Sequence, residues 1–262
     1  MVLRCPGTAE TSSVRRQGYS FIIACVGVGN VSQLCMDVLI STLMPTFTCY
    51  LDSPFIPPLV GPAPYSEIVS SPPLACSLEL YDDISRQLSF LQVRAPVFSG
   101  CRSRFAADLV EFILTEGFSS VVLLSSSFAM TRKDRQLRGP PLQYAASMSA
   151  STEDIESLSS LGLSELLEEA VLDGDSVDKL SLNLLGSGVA LPLFYALKKN
   201  QTISTFLLNT FTCDGDNRDD ALFMAHALNS LLKAFPSDFP VSWKTPGNWR
   251  RLYGTAVDPL LY

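Results

Sequence analysis

Two periods of apolar residues run along this chain. Tyr19–Val26 is a nearly unbroken apolar run, which predicts a strand buried on both faces. Gly27 and Gly29 interrupt it. Beyond them Val31, Leu34, Cys35, Val38, Leu39 and Leu43 recur at helical spacing, with Asn30 as the expected cap and Gln33 completing a capping box. Strand, glycine turn and helix in that order open an α/β fold.

The pattern then alternates between strands and helices. Thr46–Leu51 predicts a second strand, and Cys76–Tyr81 with Gln87–Arg94 a hairpin turning at Asp82 and Asp83. Cys101–Glu116 is read as a helix stopped by Gly117, with Phe105, Leu109, Phe112 and Ile113 on one face. Val121–Leu124 predicts a central strand running into Ser125–Ser127. Ala190–Lys198 is read as a helix and Ile203–Phe211 as a strand. A turn at Asp214–Asn217 leads into a last helix, whose apolar face is Ala221, Met224, Ala225, Leu228, Leu231 and Phe235. The fold class expected is α/β, with a mostly parallel central sheet flanked by helices.

Between these elements lie segments of different character. Residues 1–17 are polar and are read as a loose terminus, ahead of one α/β domain over 18–254. Residues 52–73 carry seven prolines, and a loop of that length in a compact domain is expected to be functional or mobile. Thr131–Arg138 is a basic loop. Ser147–Asp178 holds nine acidic residues and no basic one, which predicts a mobile acidic insertion with a short helix around Leu163, Leu166 and Leu167. Residues 255–262 form a terminal tail.

Composition narrows the class. Of 262 residues 47% are hydrophobic and only 17% charged, so either much of the chain is buried sheet or some apolar surface is meant for a partner. No apolar run reaches the 18 residues that a membrane helix needs, and the polar lead before Tyr19 does not fit a signal peptide. Seven cysteines without a C-x-x-C spacing argue for the cytosol or nucleus, and against a disulfide framework or a zinc site. The net charge of −7 comes entirely from residues 141–262, which speaks against nucleic-acid binding there.

Candidate chemistry is sparse. Gly27-Val-Gly-Asn-Val-Ser32 approaches the dinucleotide fingerprint, with Ser32 in place of the third glycine and Asp52 where a ribose-binding acid would stand. Gly27, Gly29 and Asp52 therefore define one alternative, an NAD(P)-dependent oxidoreductase; the competing reading is a tight strand-to-helix turn. Ser125–Ser127 lacks a nucleophile elbow, and the single histidine, His226, falls on the polar face of its helix. Asp214, Asp216, Asp219 and Asp220 do not match a calcium loop. Arg132, Lys133, Arg135 and Arg138 could hold an anion or a partner's acidic patch. Leu260, Leu261 and Tyr262 form an apolar tip suited to a partner's pocket, its carboxylate meeting a lysine there. No catalytic constellation emerges, and neither a cofactor nor a metal is expected.

Several stretches together resemble the proteasome assembly chaperone family. They are Val26–Leu43, Pro58-Leu-Val-Gly61 with Pro64-Tyr65, Val121–Ser127, Arg132–Arg138, Trp243-Lys-x-Pro246 and Trp249-Arg-x-Leu-Tyr-Gly254. The resemblance implies a nucleoside-phosphorylase-like architecture without enzyme activity. It also implies a heterodimer with proteasome assembly chaperone 1, and tails that dock between α subunits of the proteasome α ring. Tails of this kind often end hydrophobic–tyrosine–any residue; here Leu261 is penultimate and Tyr262 last. The Pro-rich loop 52–73 and the basic loop are the expected additional contact surface. No nucleic-acid or membrane partner is implied.

Overall fold

The computed structural model describes residues 16–65, 74–173, 176–235 and 241–251. In chain order the elements are β1 (Ser20–Ala24), α1 (Val31–Leu43), β2 (Thr46–Tyr50), β3 (Val60–Pro62), β4 (Leu74–Cys76), β5 (Leu78–Asp83) and β6 (Leu88–Val93). They continue with α2 (Arg102–Glu116), β7 (Ser120–Phe128), β8 (Leu142–Ala146), α3 (Thr152–Ser160), β9 (Ser164–Glu165), β10 (Glu168–Asp173), β11 (Ser176–Leu182), α4 (Ala190–Lys198), β12 (Ser204–Thr212) and α5 (Arg218–Leu232).

Eight strands form one sheet in the order β2-β5-β6-β1-β7-β12-β8-β9. Its centre, β6-β1-β7-β12, is parallel throughout; β5 runs against both β6 and β2, and β8 runs against β12 but parallel to β9. β1 lies between β6 and β7, so alternate side chains enter two cores. Phe21 and Ile23 pack with Phe105, Leu109 and Ile113 of α2 and Leu193, Phe194 and Leu197 of α4. Ile22 and Ala24 pack with α1 and with Ala221, Met224, Ala225 and Leu228 of α5. Burial on both faces is why this central run is apolar without alternation.

Several local expectations are corrected. Asn30 does precede α1, but it lies at φ +55° without a side-chain cap, after a 3-10 turn at Val28–Asn30, and Gln33 is buried rather than reaching back to it. Asp82 and Asp83 belong to β5, and the hairpin turns at residues 84–87. Phe235 lies beyond α5, which ends where Lys233 turns left-handed at φ +50°.

At the described end of the amino-terminal segment, Arg16 is not loose. Its Nε and Nη2 meet the Asp82 carboxylate at 3.0 and 2.7 Å, and Nη1 meets Glu116 at 2.6 Å. A planar guanidinium gripping a buried carboxylate in two places fixes the chain as it enters β1.

Residues 147–178 also carry regular structure. The helix expected around Leu163–Leu167 forms earlier, as α3. Ser151 caps it by accepting from Asp154 N at 3.1 Å, and Glu153 and Asp154 stand in its first turn. Acidic residues there oppose the positive end of the helix dipole, and Leu158 is fully buried in the α1/α5 core. Ser164–Glu165 adds the edge strand, and β10 pairs with β11 as a separate antiparallel hairpin.

Candidate functional site

In an open α/β sheet a ligand would sit at the carboxyl ends of the strands where their order switches, here beside β1. The glycine turn occupies that place. A Cβ on Gly27 would lie 2.5 Å from Ser126 Oγ and 2.6 Å from its carbonyl oxygen. Gly29, at φ +64°, faces Asn217, whose amide would stand 2.1 Å from an added Cβ. Ser126 Oγ donates to the Val28 carbonyl at 2.6 Å, and Asn217 Nδ2 to the Gly29 carbonyl at 3.3 Å. The glycines therefore admit the chain's own β7 and the loop before α5, where a nucleotide enzyme would admit a pyrophosphate.

The neighbouring crevice, lined by Val26, Val93, Ala95, Val97, Arg102 and Gly188, holds about 30 Å³. A ligand pocket needs roughly 300–1,000 Å³. Asp52 follows β2 at the sheet edge, three strands from β1, which is about 14 Å at the usual strand spacing. The dinucleotide reading fails because the second strand of the chain is not the neighbour of the first.

The other polar candidates are equally quiet. Ser125, Ser126 and Ser127 are fully buried, Ser127 Oγ accepts from Asn209 Nδ2 at 2.8 Å, and His226 is exposed on α5. No cluster of metal-ligating side chains occurs among the described residues.

The basic loop divides in two. Arg132 donates to the Gln136 carbonyl and lies over the Phe211 ring at 5.8 Å, while Lys133 pairs with Glu169 at 3.4 Å. Gln136 is buried and donates to Gln143 Oε1 at 2.9 Å, which pins the loop to β8. Arg135 and Arg138 are exposed without an ion pair among the described residues, beside exposed Leu137 and Met130. Two cations next to flexible apolar side chains suit an acidic, partly apolar protein surface.

The Pro-rich loop makes a second surface. Leu51, Asp52, Pro54, Ile56, Leu59 and Phe98 line a groove of about 560 Å³, in which Leu59 and Phe98 are exposed. A buried network that the sequence reading missed holds this loop in place. Arg94 donates to Glu79 Oε1 at 3.0 Å and Tyr65 Oη at 3.0 Å, and approaches Asp37 Oδ1 at 3.4 Å. The Tyr65 hydroxyl donates to Asp37, and Gln92 donates to the same carboxylate at 2.8 Å. Burial and then the Asp37 charge hold the Tyr65 phenol well above its ordinary pKa, so it stays a donor. Burial works against the Arg94 charge, but Tyr65, Asp37 and Glu79 more than offset it and raise its pKa. The available signals were an acid within the apolar stripe of α1, Asp37, and another within the apolar run of β5, Glu79.

Leu260, Leu261 and Tyr262 lie outside the described residues. The structure thus keeps Asp52 apart from the turn that Gly27 and Gly29 share, and leaves Arg135 and Arg138 exposed without an ion pair among the described residues.

Known proteins match this architecture. Over 94% of its length the chain is 33% identical to proteasome assembly chaperone 2 of Danio rerio, covering 95% of that protein. Its identity to the Homo sapiens protein of the same name is 32%, again over 94% and 95%. The crystal structure of Pyrococcus furiosus PbaA, described as an archaeal homolog of proteasome-assembly chaperone, superposes with a TM-score of 0.58 at 19% identity, over 84% of each chain. P. furiosus PbaB, described as an archaeal proteasome activator, gives 0.54 at 17% identity, over 88% of each chain. These two share the fold. The sequence profile of the PAC2 family matches residues 21–182, and with that span and these relatives the chain belongs to the PAC2 family.

Proposed function

We propose that this chain is a non-enzymatic chaperone of proteasome assembly. It acts as one half of a heterodimer with proteasome assembly chaperone 1 in the cytosol and nucleus, promoting α-ring formation and preventing wrong pairing of α rings. The observation that carries the reading is the end-to-end similarity to proteins named proteasome assembly chaperone 2. The filled glycine turn and the 30 Å³ crevice agree with it, because they leave no room for a substrate at the switch point.

In this reading Leu260, Leu261 and Tyr262 enter a pocket between neighbouring α subunits. Burying such side chains yields about 1.5–3 kcal/mol each. A net of roughly 4 kcal/mol corresponds to only millimolar affinity, and ordering the tail subtracts from the gross gain. A second contact is therefore required, and coupling it to the tail raises avidity by about 10²–10⁴. Arg135 and Arg138, with Met130 and Leu137 beside them, supply it on one face, and the Pro-rich groove on another. The test is deletion of residues 260–262, followed by co-purification of α-ring intermediates with the heterodimer. Loss of the intermediates is expected; unchanged recovery would overturn tail docking.

A further inference from the structure

Large apolar side chains are exposed mostly at one end of the sheet. The four central strands finish at that end, and β5 and β8 start there because they run against β6 and β12. Leu59, Val60 and Leu74 stand on or beside the β3/β4 pair that leads into β5. Phe98 follows β6, Met130 and Leu137 follow β7, and Leu185 precedes α4. These are seven of the eleven exposed large apolar side chains among the described residues; Met44, Ile84 and Met148 lie at the opposite end, and Leu114 on α2. The backbone holds several of the seven in place. Ser77 Oγ accepts from the Leu59 N–H at 2.8 Å, the Phe55 carbonyl from the Phe98 N–H at 2.9 Å, and the Leu185 carbonyl from the Phe128 N–H at 3.0 Å. A Cβ on Gly186 would stand 2.5 Å from Val28 Cγ2, so the turn that carries Leu185 is seated directly on the sheet end.

Charge divides the same end into two halves. On the α1/α5 side the exposed residues around the start of α5 are acids, Asp214, Asp216 and Asp219. On the α2/α4 side Arg102 and Arg104 occupy the first turn of α2. The basic loop belongs to that side too, because Arg132 lies over Phe211, which packs in the α2/α4 core. Leu51 and Ile56 of the Pro-rich groove pack in this core as well. Arg102, Arg104, Arg135 and Arg138 are all exposed without an ion pair among the described residues. They outnumber the exposed acids Asp52 and Asp134 beside them, in a chain whose net charge is −7.

We propose that the α2/α4 half of this end is one continuous docking strip, running from the Pro-rich groove past Phe98 and Leu185 to the basic loop. Its occupant is a single α-subunit surface with an apolar centre and an acidic rim. This rests on the function proposed above, and it joins the two contacts named there into one surface met by one body. Exposed apolar side chains on a fixed backbone cost little ordering when a partner covers them. From β2 to β8 the strip crosses six strand spacings, about 29 Å. Its width is that of one helix layer, about 10–12 Å, and part of the sheet. The area is on the order of 500 Å², against about 800 Å² per partner in a standard stable interface. A strip of that size suits a transient contact that the rest of the heterodimer reinforces better than a permanent interface with a second subunit. Its four cations favour an acidic neighbour and speed the encounter with it.

The experiment uses the full-length chain in its heterodimer, with purified α-subunit rings as the probe. Phe98→Ser is expected to weaken ring binding about tenfold, as the loss of an apolar anchor near the centre of an interface does. Arg135→Glu with Arg138→Glu should slow association about tenfold at low salt, and the difference should shrink as salt rises. Two sites this far apart on one surface act independently, so the losses should multiply when the variants are combined. The three side chains are exposed, so heterodimer formation and melting temperature should stay as in the parent. Leu114→Ser, outside the strip, should leave ring binding unchanged. A photo-crosslinking residue at position 98, and another at 137, should each trap an α subunit. If either position traps the partner chaperone or a second copy of this chain instead, or if either variant binds rings as the parent does, the inference is overturned while the proposed function stands. If the parent heterodimer does not bind rings, the proposed function falls and this inference falls with it.

Discussion

Replacing Arg94 by leucine tests the network that holds the Pro-rich loop. The guanidinium serves Glu79, which is fully buried, and Asp37 and Tyr65, which are nearly so. Leucine fills part of the volume but leaves two carboxylates without their cation. Breaking a buried pair from one side costs about 3–5 kcal/mol, because the remaining charge cannot recover its hydration. For a chain of this size that is a fall in melting temperature of roughly 6–20 °C, at about 2–4 °C per kcal/mol. Adding Glu79→Gln to the leucine variant should recover part of the loss, since the neutral amide needs no counter-charge. Thermal and urea unfolding, monitored together, provide the assay. A leucine variant within 1 kcal/mol of the parent would refute the reasoning, as would a glutamine that deepens the loss.

Other outcomes follow from the same geometry. Gly27→Ala should destabilise by about 1–3 kcal/mol, because the new methyl meets the Ser126 backbone as well as its hydroxyl; an unfolding midpoint equal to the parent's would show that the turn can give way. Burial works against the Asp83 carboxylate, but bonds from Ser85 and Arg86 at 2.6–3.1 Å prevail and set its pKa below the ordinary 3.8. Its contribution is therefore present above that value and is lost as pH falls through the lower, folded-state value. Asp83→Asn should flatten that part of the acid limb, and an unchanged slope between pH 4 and 2 would contradict it.

The sequence by itself determined the alternation of elements and most of their positions. The apolar run before Gly27, the stripe of α1 and the glycine stop after Glu116 are local signals, fixed by side-chain period and by which residues tolerate positive φ. It also carried the resemblance to the proteasome assembly chaperones, spread over motifs in one order. It did not determine which strands are neighbours. Asp52 follows the second strand and looks like a ribose ligand in sequence, yet β2 lies at the sheet edge, because β6 and β7 flank β1. Nor could residue spacing show that Ser126 and Asn217 fill the glycine turn, or that Asp37, Glu79, Tyr65 and Arg94 meet. Those contacts join residues far apart in the chain, and only the packing of helices on both faces of the sheet brings them within hydrogen-bond range. Composition could not place the helix within residues 147–178 for a related reason. Their acids stand where a helix N-terminus favours negative charge, while Leu158 is buried by the distant α1/α5 layer that only the folded chain provides.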